Sequence, residues 1–156
     1  MELQQALAQI MTFYSSMTPG HIQDNAPISP QPESTFPYVI SFVVFEEKHK
    51  SGTRDPITVA VSGDFEGLSP TFRGFLIEAR QGDVPIGTFS TANNPEMQTI
   101  DCGSGQKNAI THTSPTKKER ISATWYPPTG FDERIDFHFT VVQEHDTFWV
   151  NQVRTV

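Results

Sequence analysis

The chain has 156 residues, enough for one domain with a sizeable core, and twelve phenylalanines and two tryptophans supply bulky material for it. A net charge of −7 argues against a nucleic-acid binder, which needs clustered lysine and arginine to neutralise phosphates. A single cysteine excludes an internal disulfide framework, and no stretch is long and apolar enough to span a membrane.

Residues 1–13 read as a separate N-terminal segment. Leu3, Leu7, Ile10 and Met11 fall near one face of a short amphipathic helix. Glu2 stands where a signal peptide would carry a basic residue, and glutamines interrupt the apolar run, so the segment does not read as a secretion signal. Thr18 to Pro37 is rich in Pro, Ser, Asn and Gln without periodicity and predicts an extended loop. From Tyr38 onward the pattern has period two. YVISFVVFE is apolar on both faces, as a central sandwich strand can be. PITVAVSG alternates Ile57, Val59 and Val61 against Thr58, Ala60 and Ser62. FRGFLIEAR places Phe75, Ile77 and Ala79 on one side and Leu76, Glu78 and Arg80 on the other, the pattern of a half-buried strand.

VPIGTFS, MQTIDC and NAITHTS are further short strands. RISATWYPP alternates Ile121, Ala123 and Trp125 against Ser122, Thr124 and Tyr126, and Pro127 and Pro128 end it because proline cannot donate to a ladder. RIDFHFTVVQ and TFWVNQV complete the series. Eight or nine short strands separated by turn signals, with no helix between them, predict an all-β antiparallel sandwich.

Catalytic signatures are sparse. His21, His49, His112, His138 and His145 lie on different elements without ligand spacing, and read as exposed or internally satisfied. Cys102 lies in TIDCGSG, which is not a strand–elbow–helix nucleophile context. Its lone thiol is compatible with a reducing compartment, a lost bridge or pairing with another chain. The acidic loops GDFEG and GFDERID carry oxygen ligands that suit calcium, but neither matches an EF-hand, and both read as solvated turns. The run KKER, with Lys117, Lys118 and Arg120, reads as a solvated turn; with Arg73 and Arg80 it could also form a local basic patch despite the negative net charge. Of the pairs Trp125–Tyr126 and Phe148–Trp149, one ring of each points outward, and an outward Tyr126 or Trp149 suits stacking on a sugar ring or a protein partner.

Several segments in order are similar to the reeler domain, the module of reelin, F-spondin, ferric-chelate-reductase-like membrane proteins and insect defence proteins. They are MTPGH, FPYVISF, ITVAVSG, FRGFLIEAR, IGTF, IDC, AITHTSPTKKERISATWYPP, IDFHFTVVQ and FWV, and they cover nearly the whole chain. The resemblance implies an immunoglobulin-like sandwich over residues 14–156, an extracellular setting and a binding role in adhesion or innate defence, with no catalytic residues, metal or cofactor in the module. Its partners would be a microbial or matrix glycan or lipid component, or an extracellular protein. Candidate ligand contacts are Arg73, Arg80, Lys117, Lys118, Arg120 and Tyr126. The rival reading is a detached module of a ferric-chelate-reductase-like protein, whose redox chemistry belongs to a separate haem-bearing membrane region; a third is a structural domain that oligomerises through Cys102 or an edge strand. The chain departs from the family at Tyr14, where a cysteine usually stands to bridge to Cys102; losing that bridge forfeits about 2–5 kcal/mol.

Overall fold

A computed structural model describes residues 17–18, 20–45, 52–63 and 70–156. The expected N-terminal helix, Tyr14, His49 and most of the GDFEG loop lie outside these residues.

The described residues form an antiparallel β-sandwich. One sheet has four strands in the order β3 (Val39–Val44), β4 (Ile57–Ser62), β10 (Arg120–Tyr126) and β7 (Thr88–Ser90). The other runs β12 (Thr147–Thr155), β11 (Asp136–Glu144), β5 (Gly74–Gln81), β9 (Ala109–His112) and β8 (Met97–Ile100), with the short β6 (Val84–Pro85) also paired to β5. A two-residue ribbon, β1 (Ile22–Gln23) with β2 (Ala26–Pro27), lies in the N-terminal stretch expected to be loop. Three of the twelve strands among the described residues, β1, β2 and β6, have two residues each, which leaves nine, against the eight or nine that the period-two pattern predicts.

Alternation explains the main core. Ile57, Val59 and Val61 of β4 and Ile121, Ala123 and Trp125 of β10 face Phe75, Ile77 and Ala79 of β5 and Phe137, Phe139 and Val141 of β11. Their rings meet edge to face, Trp125 with Phe137 at 5.7 Å between centroids and Tyr38 with Trp149 at 5.8 Å. Trp125 is held by its indole N–H, which donates to the Ile86 carbonyl at 2.9 Å. Gly87 makes this possible. Its φ is +72°, and a Cβ there would stand 2.3 Å from Trp125 Nε1 and 2.5 Å from the Tyr126 carbonyl oxygen.

Three expectations need correction. VPIGTFS is two strands, not one: β6 pairs with β5 and β7 with β10, because the chain crosses between sheets at Gly87. YVISFVVFE is an edge strand rather than a central one, and Val43 and Val44 remain 55% and 46% exposed. β5 is not half-buried; seven of its eight residues are buried. The outer side of β5 is covered by Met17 and by the 101–108 loop, which form a second small core of Met17, Leu76, Cys102 and Ala109. Thr140 Oγ1 ties this cover down by donating to the Met17 carbonyl at 2.7 Å. Asn108 clamps the loop, accepting from Cys102 N at 2.6 Å and donating to the Cys102 carbonyl at 2.7 Å.

Candidate functional site

The six candidate ligand contacts do not form one patch. Arg80 is buried at 4% exposure, with Nη2 2.6 Å from Glu78 Oε2, beneath the cover over the outer side of β5. Lys118, expected in a solvated turn, is 2% exposed. Its ammonium donates to the carbonyls of Arg73 (3.0 Å), Ser114 (2.8 Å) and Thr116 (2.7 Å), and burial lowers its pKa. This cation closes the turn between β9 and β10 rather than meeting solvent. Arg73 is partly exposed, its Nε 2.9 Å from Glu144 Oε2. Lys117 and Arg120 are exposed. Of the predicted basic set, two cations therefore belong to the interior, and a third is neutralised at the surface.

Two of the histidines are buried and bonded internally. His112 is 2% exposed, and its Nδ1 accepts the Phe75 N–H at 2.9 Å. Burial lowers its pKa to about 4, so it is the neutral imidazole at physiological pH. His21 is buried, stacks on His145 with ring centroids 4.6 Å apart, and its Nδ1–H donates to the His145 carbonyl at 2.7 Å. The pair pins the segment before β1 to the turn between β11 and β12. Among the described residues no group of three or more His, Cys, Asp or Glu side chains converges on a metal-sized space. Trp149, the alternative stacking residue, is 4% exposed and donates from Nε1 to Thr35 Oγ1 at 2.9 Å, so its ring serves the core.

The acidic GFDERID loop borders an open cleft of about 300 Å³ lined by Val44, Arg54, Asp55, Asp132, Glu133, Arg134 and Val156. Arg54 is used internally, donating to the Glu133 carbonyl at 2.6 Å and the Val156 carbonyl at 3.0 Å. The charges of the cleft are mixed: Arg54 and Arg134 stand among Asp55, Asp132 and Glu133.

A broader feature is the outer face of the four-stranded sheet. Strand register sets its composition. Ser41 stands beside Ala60 and Ser122; Val43 beside Thr58, Thr124 and Ser90; Tyr126 beside Thr88. Hydroxyls from all four strands thus share one surface, with Thr58 Oγ1 and Thr124 Oγ1 3.0 Å apart. Neighbouring strands are about 4.8 Å apart and same-face residues about 7 Å apart along a strand, so the array has a regular grid. Tyr126, 46% exposed, stands at one end of β10 and Arg120 at the other, about 20 Å away. Arg120 is the one charged side chain that these strands place on the face. Tyr126 and Arg120 were legible as candidates. The hydroxyls were visible as the polar half of two alternating runs, Thr58–Ser62 and Ser122–Tyr126, but nothing local says that these runs lie side by side.

A family model described as the Reeler domain matches residues 14–156. "Putative defense protein 3" of Antheraea mylitta is 38% identical over 135 residues, covering 86% of this chain and 74% of that protein. "Ferric-chelate reductase 1" of Bos taurus is 36% identical over 100 residues, covering 62% of this chain but 16% of the longer protein. Among solved structures, the Reelin-N domain of F-spondin superposes with a TM-score of 0.57 at 18% identity, over 97% of this chain and 96% of that one. At that identity the likeness speaks to fold alone.

Proposed function

The chain belongs to the reeler domain family, and on that premise we propose that it is a non-catalytic extracellular binding module that recognises a neutral glycan of a microbial or matrix surface. The observation that carries this reading is the outer face of the four-stranded sheet. On its four strands it combines a grid of hydroxyls, an exposed phenol ring at Tyr126 and a single charge at Arg120. Hydroxyl side chains exchange hydrogen bonds with sugar hydroxyls as both donor and acceptor, and an aromatic face packs on the C–H side of a pyranose ring.

Electrostatics favours a neutral ligand over a polyanion. The chain carries −7 overall, and Lys118 and Arg80 are committed to internal partners. Of the predicted basic set, Lys117 and Arg120 alone are fully exposed, which leaves that patch little with which to hold a sulfated or phosphorylated polymer. The resemblance to an Antheraea mylitta protein named for defence supports the surface-recognition half of the proposal.

A glycan array and pull-downs on insoluble microbial and matrix polysaccharides, run with the purified protein at physiological salt, test it. The expected result is saturable binding to an uncharged polymer, weakened about tenfold by Tyr126→Ala, which corresponds to about 1.4 kcal/mol of lost contact. Binding confined to sulfated glycans or lipopolysaccharide, or to no glycan at all, would reject it.

A further inference from the structure

We infer that β3 is a homodimer seam, pairing antiparallel with β3 of a second copy about a two-fold axis that passes between the two copies of Phe42.

Edge strands expose unpaired N–H and C=O groups, and stable monomers protect them. Two of the other edges here are protected by brevity: β7 has three residues and β8 four. β12 is irregular, with register shifts against β11 and Asn151 at φ 51°. β3 has none of these protections. Residues 36–45 contain no charged side chain, and Val39, Val43, Val44 and Phe45 are 38–55% exposed. Among the described residues β4 is its one partner strand.

Hydrogen-bond parity says how the edge is used. Phe45 N donates to the Pro56 carbonyl at 3.2 Å, and the β3–β4 register runs from there back to Val39 opposite Ser62. Residues 39, 41, 43 and 45 therefore direct their backbone groups to β4. Ile40, Phe42 and Val44 direct theirs outward. A two-fold antiparallel pairing that keeps side chains on common faces must be centred on one residue. Centred on Phe42, it sets Phe42 against its own copy and Ile40 against Val44, and all three outward-facing residues of each copy find backbone partners. On the outer face Val39 meets Phe45 and Ser41 meets Val43, so the exposed apolar residues cover one another. A second copy is the occupant that fits, because the strand is self-complementary in both backbone and side chain. The molecule carries −7, yet the seam brings no like charges together.

Sedimentation velocity of the intact chain across a concentration series tests this, together with Val44→Pro and a Val43→Lys/Phe45→Lys double variant. Proline at 44 removes an outward N–H and leaves the β4 ladder intact. The wild type is expected to sediment at twice 17.5 kDa with both variants at half that mass and a native circular-dichroism spectrum. Amide exchange on the wild type reads the seam without any substitution: Ile40, Phe42 and Val44 become protected at high concentration and lose that protection on dilution. A monomer throughout, or a dimer in which these three amides stay unprotected, overturns the inference.

Discussion

Burial holds the Cys102 thiol protonated. Removal from solvent, and then the nearby Glu78 carboxylate, push its pKa up to about 12. A native thiol of this kind reacts poorly with alkylating or disulfide reagents. We predict that thiol titration at pH 8 finds the native protein unreactive over minutes and one equivalent reactive at once in denaturant; immediate labelling of the native form would contradict the packing around Met17, Leu76 and Ala109. The same burial disfavours oligomerisation through this residue. His112 gives a pH signature. Its folded pKa of about 4 lies below the ordinary 6.5, so the unfolded chain takes up the proton first. The associated stability, about 3 kcal/mol, is present in full above pH 6.5 and is lost as pH falls through about 4. Tm should fall by several degrees between pH 7 and pH 4.5, and His112→Phe should flatten that fall while lowering Tm at pH 7. An unchanged slope in the variant would assign the pH dependence elsewhere, for instance to His21, whose pKa is also lowered by burial.

At the scale of elements, the turn between β9 and β10 depends on Lys118. Lys118→Met should destabilise by about 2–3 kcal/mol in urea, since it strands three carbonyls that now share one ammonium, whereas Lys117→Ala should stay within about 0.5 kcal/mol. Equal effects would mean that the carbonyl cage adds nothing. The two lysines are adjacent and identical in type, so sequence could not separate them; the carbonyl cage takes two members from the turn itself and is closed by Arg73, 45 residues away. Strand existence, by contrast, was legible almost throughout, because alternation is a local property. Alternation names two faces of a strand but not what covers each. Hence Glu78 and Arg80 read as solvent-facing although Met17 and the 101–108 loop lie over that side of β5, and a largely apolar β3 read as central although it lies at the edge. Tyr126 was legible for the opposite reason: a polar-tipped ring on the polar side of an alternating strand needs no long-range information to be placed outside.

For the whole molecule, the net charge of −7 and the internal use of Lys118 and Arg80 lead to a salt prediction. Binding to a neutral glycan should change less than about twofold between roughly 50 and 500 mM salt, because no counterions are released. A loss above tenfold would point to an anionic ligand held by Lys117 and Arg120. Geometry sets a further limit. Because the proposed β3 seam keeps side chains on common faces, its two-fold axis stands perpendicular to the sheet, and both Tyr126 faces of the pair look the same way. Such a pair grips one surface twice, gaining avidity on a dense repeating polymer, and is poorly shaped to cross-link two particles. It would coat cells without clumping them.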